Sequence, residues 1–215
     1  MAHDDTRHDG LGEVKDAFNL TGNAVSTSNE FVLIGQPVPA NLQITNAITL
    51  SAWIYVTSYP ANNGGGAYGF ILGSQSDGNY GGATIFYDGT TNNNGWANIP
   101  VGHIQFQIGD GSAWHETDTY TQVPLNQWVL ITATRTANNP AQIYYNGVLQ
   151  ASTNLSAAWN GNISYPSSDW FAIGQEVNED RAFNGLIDEA QIYSTALTAA
   201  QVQAIYNAGN AGVCP

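Results

Sequence analysis

Four tryptophans, Trp96, Trp114, Trp159 and Trp170, stand in or beside runs of Asn, Gly and Ser rather than inside apolar stretches. An indole in that company suits a sugar: its face stacks on ring C–H groups while neighbouring amides and carboxylates bind hydroxyls. Trp170 opens the apolar run "WFAI" and is assigned to the edge of the core. Trp96, Trp114 and Trp159, with Tyr80 and His115, are the candidate carbohydrate-binding residues, and His103 is a further companion. The alternative for each is packing against loop backbone. Glycoside hydrolysis would ask for more, two carboxylates about 5–9.5 Å apart. Asp188 and Glu189 are adjacent on a predicted strand, so their side chains point to opposite faces and the pair is expected to be structural. "HET" at 115–117 and "DEA" at 188–190 lack the required spacing, and no G-x-S-x-G nucleophile motif occurs. No catalytic residue is assigned, and the chain is expected not to be an enzyme.

Composition narrows the partners. Four basic against 17 acidic residues leave a net charge of -13, which repels nucleic acid and anionic membranes and favours a cation. Hard carboxylate and amide oxygens suit calcium. Solubility in an extracellular setting is the plainer reason for such a charge. No apolar run is long enough to insert into a membrane. Cys214 is the sole cysteine, so an internal disulfide and C-x-x-C metal sites are excluded.

The elements that must position these side chains read as strands. Only 10% of the 215 residues are charged, and the polarity comes from Asn, Thr, Ser, Gln and 23 Gly, which is turn and strand chemistry. Residues 1–16 are expected to be a tail or first loop, and 17–215 one domain. Strands are predicted over 17–22, 30–35, 47–59, 68–75, 82–89, 102–111, 127–136, 169–176 and 185–193, with a hairpin over 141–152. In the 47–59 strand Ile48, Leu50, Ala52, Ile54 and Val56 share one face and Trp53 and Tyr55 the other, which predicts a central position. Asn146-Gly147 predicts a type I′ hairpin turn. Thr198 and Gln201 have capping-box spacing, Leu197, Val202, Ile205 and Tyr206 share a helical face, and Gly209 marks the stop. One short C-terminal helix is therefore expected to clasp a β-sandwich.

"FNGLIDEAQIYSTALTAAQVQAIYNAG" (183–209) resembles the end of the laminin-G-like, concanavalin A-like jelly-roll domains of bacterial secreted proteins. "NAITLSAWIYV", "PLNQWVLITATR" and "AQIYYNGVLQAS" match further motifs of that family in order. The resemblance implies an all-β, two-sheet antiparallel jelly-roll sandwich, with Trp53 and Trp128 in its core. Relatives that hydrolyse glycans carry an E-x-D-x-(x)-E string that is absent from this sequence. "AIGQEVNED" (172–180) is similar to the calcium-ligating segment of the pentraxins, distant members of the fold, and "SQSDGNYGGATIFY" (74–87) occupies the place of their second loop. That likeness implies a calcium rim of Asp77, Asn79, Glu176, Asn178, Glu179 and Asp180. The pentraxin disulfide has no counterpart, and the other reading of these loops is a solvated acidic rim with Arg181 as partner. The expected function is a non-catalytic, extracellular carbohydrate-binding or adhesion module, probing glycans or cell-surface polysaccharide with calcium. A structural or protein-binding module alongside other domains of a larger secreted protein, and a diverged glycanase or polysaccharide lyase, are the alternatives.

Overall fold

The computed structural model describes residues 3–4, 17–21, 31–60, 67–75, 79–90, 99–153, 159, 161–176 and 181–209, with the backbone alone for residues 3–4. Its strands are β1 (His3–Asp4), β2 (Ala17–Thr21), β3 (Val32–Gly35), β4 (Ala47–Val56), β5 (Tyr68–Gln75), β6 (Ala83–Asp88) and β7 (His103–Gly109). They continue as β8 (Trp114–Asp118), β9 (Trp128–Thr136), β10 (Gln142–Tyr145), β11 (Val148–Leu149), β12 (Trp170–Ile173) and β13 (Asn184–Tyr193). The helix α1 (Ala199–Ala208) follows. Antiparallel pairing builds a seven-stranded sheet, β1-β2-β13-β4-β9-β10-β11, and a six-stranded sheet, β3-β12-β5-β6-β7-β8. This is the expected jelly-roll sandwich with its short C-terminal helix.

Period-2 alternation explains the interior. Ile48, Leu50, Ala52, Ile54 and Val56 of β4 face Ile85, Ile104, Phe106 and Phe171 of the other sheet, in one continuous apolar cluster. Strand β4 is central, between β13 and β9. Asn146 and Gly147 adopt φ of 50° and 80°, the backbone that a type I′ turn requires.

The helix α1 covers part of the outer face of the seven-stranded sheet. Thr198 caps the helix, and the full reciprocal capping box with Gln201 is present. Val202 is fully buried, and Tyr206 packs on Trp53 with ring centroids 5.8 Å apart. The segment before the helix is tied to β4, because the Thr49 hydroxyl donates to the Thr195 carbonyl and accepts from the Leu197 amide. Gly209 ends the helix for a reason other than the expected one. Its φ is -53°, an ordinary helical value, so no left-handed cap is formed. A Cβ there would lie 2.9 Å from the Trp53 ring, so close packing is what demands glycine.

Other expectations need adjustment. Trp128 is half-buried on the outer face against Tyr55, 5.6 Å between ring centroids, rather than in the intersheet core. Strand β8 falls on a stretch read as loop, and His3–Asp4 of the expected tail pairs with Ala17 and Phe18 of β2. Asp188 and Glu189 sit on a β-bulge. Glu189 has φ of 44° and its amide donates to Asp188 Oδ1, a local turn in place of strict alternation.

Candidate functional site

The six-stranded sheet has a different outer face. Along β6, β7 and β8 the inward residues are Ile85, Tyr87, Ile104, Phe106 and Ile108. The residues alternating with them are Phe86, Asp88, His103, Gln105, Gln107, Trp114, Glu116 and Asp118. Register sets Asp88 opposite His103, Gln105 opposite Asp118, and Gln107 opposite Glu116. A polar ladder thus crosses three strands. Beside it, Phe70, Phe86 and Trp170 form a second, smaller aromatic cluster with Tyr68 packed against it.

Between the ladder and the aromatics lies a cavity of about 190 Å³, lined by Tyr68, Gln75, Phe86, Gln105, Gln107, Trp114 and Arg181. Two lining glutamines are held by carboxylates. Gln105 Nε2 donates to Asp118 Oδ1 at 3.0 Å, and Gln107 Nε2 to Glu116 Oε1 at 2.8 Å. Burial raises the Glu116 carboxyl above its usual range, and the Gln107 bond offsets part of that.

Deeper along the ladder, Asp88, His103 and Asp118 are all fully buried. His103 Nδ1 lies 3.0 Å from the Pro100 carbonyl, which can only accept, so that nitrogen carries a proton. Nε2 therefore faces Asp118 Oδ1 at 3.4 Å and Asp88 Oδ2 at 3.6 Å. Asp88 Oδ1 accepts from the Thr90 amide and hydroxyl, both at 2.7 Å. Burial nevertheless pushes the Asp88 carboxyl up, with His103 and these bonds pulling the other way.

The expected aromatic residues divide into two groups. Trp114 lines the cavity, and Tyr80 meets it edge-on with centroids 5.8 Å apart. Tyr80 is 39% exposed and held at φ 49° in a turn seated on Gly109, where a Cβ would collide with the Tyr80 carbonyl. His115 points the opposite way from Trp114 and stacks on Trp159, 4.2 Å between centroids and 9° from parallel. The Arg135 guanidinium sits 4.0 Å from the Trp159 ring centre, so protein occupies that indole's stacking surface. Trp159 packs against the core between the sheets, and its neighbour His115 is fixed by Nε2 at 2.8 Å from Asp110 Oδ2. Trp96 lies outside the described residues.

Of the expected calcium ligands, Asp77, Asn178, Glu179 and Asp180 also lie outside the described residues. Asn79 Nδ2 donates to the Ser168 hydroxyl at 2.9 Å, and buried Glu176 takes Arg181 Nη1 at 2.7 Å. Arg181, the partner of Glu176, lines the same cavity as Trp114. Among the described residues, no group of three His, Cys, Asp or Glu converges to hold a metal.

Gln75, Gln105 and Gln107 belong to none of the candidate motifs, although Gln105 and Gln107 alternate with apolar residues in "HIQFQIG", the sign of a strand with one open face. "WHETD" alternates as well, and it places Glu116 and Asp118 two residues apart on the same face, a spacing that the "HET" comparison overlooked.

Solved structures share this architecture. Domain 4 of AbnA, a GH43 extracellular arabinanase from Geobacillus stearothermophilus, in complex with arabinotriose, matches with a TM-score of 0.63 at 20% identity, over 95% of this chain and 80% of that one. The binding domain of Paraclostridial Mosquitocidal Protein 1 matches at 0.64 and 17% identity, over 96% of this chain and 45% of that one. A heptameric SAP-like pentraxin from Limulus polyphemus matches at 0.53 and 15% identity, over 84% and 82%. Among curated proteins no sequence matches. At these identities the likeness is one of fold. A family model covers residues 21–203, and by that match the chain belongs to the concanavalin A-like lectin/glucanases superfamily.

Proposed function

We propose that this domain is a non-catalytic carbohydrate-binding module of an extracellular protein, with its ligand in the cavity on the six-stranded sheet. The observation that carries the reading is the lining itself. Trp114, Tyr68 and Phe86 supply aromatic surface, and three glutamine side chains supply hydrogen-bonding groups, the two components of a sugar site. The arabinotriose complex of a structural relative supports the same class of ligand. A glycan array read with wild type and Trp114→Ala tests it: the wild type should bind a defined set of glycans, and the variant should lose them while keeping its melting temperature. An empty array for the wild type would overturn the reading.

Calcium dependence is a further part of the proposal, supported by the net charge of -13 and by the acidic segment that follows Glu176. The ion would sit at Asp77, Asn79, Asn178, Glu179 and Asp180, with Glu176 already engaged by Arg181. Repeating the array with chelator tests it.

A glycanase is the second reading, favoured by Glu116 and Asp118. Residues two apart on a strand stand about 7 Å apart, inside the carboxylate separation used for hydrolysis. Against it, Asp118 is fully buried and Oδ1 is engaged by Gln105. Reducing-sugar release from mixed polysaccharides, abolished by Glu116→Gln, would establish that activity.

A further inference from the structure

Three glutamines line the cavity, and all are at least nine-tenths buried: Gln75 at 2%, Gln105 at 1% and Gln107 at 8% exposure. An amide offers one acceptor and two donors. For Gln105 and Gln107 the orientation is imposed, because a carboxylate only accepts. Each turns its Nε2 toward Asp118 or Glu116, and each carbonyl oxygen is left on the other side of the amide. Gln75 Oε1 is buried and accepts no hydrogen bond among the described residues. Arg181, the one cationic side chain among the described residues that line the cavity, donates its Nη1 to Glu176 Oε2 at 2.7 Å. At about 190 Å³ the cavity is smaller than a drug-sized pocket of about 300–1,000 Å³ and suits one ring of a chain rather than several.

We infer that this cavity is a subsite for a single uncharged sugar ring read through its hydroxyl donors, with Gln75, Gln105 and Gln107 as the specificity-determining acceptors. The inference rests on the carbohydrate-binding reading and deepens it. An uncharged ring donates hydroxyl hydrogens to the three amide oxygens while its C–H face meets Trp114 or the Tyr68–Phe86 surface. A uronate would place its carboxylate against amide oxygens, with Glu116 and Asp118 behind them, and Arg181, the cation among the described lining residues, already carries Glu176 as its counter-charge. Such a ligand loses solvation and gains like charge.

Calorimetric titration of the intact domain tests this with cello-, xylo-, arabino- and mannohexaose as neutral probes and oligogalacturonate as the acidic one. At least one neutral hexasaccharide should bind and oligogalacturonate should not. Gln75→Leu should weaken the neutral ligand about tenfold or more. The same variant should keep or raise the melting temperature, because it removes a buried acceptor that lacks a partner. A residue with only a structural role would lower it instead. Binding of oligogalacturonate as tight as that of the neutral sugars, or unchanged affinity in Gln75→Leu, would overturn the inference. If Trp114→Ala abolishes binding while Gln75→Leu does not, the carbohydrate-binding module stands and the acceptor subsite falls. If no saccharide binds the wild type, both fall.

Discussion

Truncating the helix contact separates the clasp from the site. Val202 is the fully buried residue of α1, and Val202→Ala removes two carbons from beneath the helix. At about 0.8 kcal/mol per buried methylene the transfer term is ~1.6 kcal/mol. A residual void of roughly 40 Å³ adds ~1 kcal/mol at 24 cal/mol per Å³. The sum, about 2.5 kcal/mol, corresponds to a fall in Tm of roughly 5–10 °C for a domain of this size. Ile205→Ala should cost less than the ~2–5 kcal/mol of a buried isoleucine, since Ile205 is only half-buried. Differential scanning calorimetry gives both values, and titration with a bound hexasaccharide gives the functional counterpart. Because α1 covers the seven-stranded sheet and the cavity opens on the six-stranded one, affinity at 25 °C should not change. A Tm within about 1 °C of wild type, below what a loss of this size predicts, would refute the packing argument. Lost affinity in a folded Val202→Ala would refute the separation of the two faces.

If calcium binds only the folded domain, a hundredfold excess over Kd stabilises it by about 2.7 kcal/mol. EDTA should then lower Tm by several degrees, calcium should restore it better than magnesium, and Asp77→Asn should remove the response; equal Tm with and without chelator refutes the ion. Asp88 has a folded-state pKa above its unfolded value, so its contribution favours folding at low pH and is lost as pH rises from the ordinary carboxylate range through the raised value. Asp88→Asn keeps an acceptor for Thr90 and should flatten that limb of the Tm-against-pH curve, which a parallel curve would contradict. Asp110 behaves in the opposite sense: burial alone would raise it, but bonds from His115, Ser112 and Ala113 hold it well below the usual range. Its stabilisation is present above the unfolded pKa and lost as pH falls through the folded one, so Asp110→Asn should destabilise at pH 7 and lose nothing further in acid. Glu189→Gly should raise Tm slightly by relieving a φ of 44°, and a lower Tm would mean that the side chain packs.

The parts of the fold legible in the sequence are those written in local patterns. The alternation of β4, the Asn146-Gly147 turn and the Thr198–Gln201 capping box each depend on a few neighbouring residues, and each stands where expected. The site was less legible because it is assembled across strands. Trp114 and His115 are adjacent in the chain, yet they face opposite sides of β8, one into the cavity and one onto Trp159. Only register could divide them, and register followed from recognising "WHETD" as a strand. Gln75 and Gln107 come from different strands, with β6 between β5 and β7, so no spacing along the chain announces their convergence. Trp128 is ambiguous for a related reason: an aromatic on an alternating strand is apolar on either face, and here it lies on the outer one against Tyr55.

The two outer faces show how a single alternating pattern yields opposite surfaces. On the seven-stranded sheet Thr49 and Ser51 alternate with core residues, and their hydroxyls are satisfied within the protein, by Thr195 and Leu197 and by Thr132. Those hydroxyls therefore need no solvent, and a helix can lie over that part of the face. On the six-stranded sheet the alternating residues are longer and carry amides and carboxylates, and the ladder pairs donors with acceptors unequally. Carboxylates of Glu116 and Asp118 absorb amide N–H groups and supply none, which leaves a surplus of acceptors at the cavity. An orphaned buried acceptor such as Gln75 Oε1 costs roughly 1–3 kcal/mol. No apolar cover can offset that cost, but a hydroxyl-bearing ligand can. Cover of one sheet by α1 and the proposed polyol site on the other follow from the same bookkeeping of donors and acceptors.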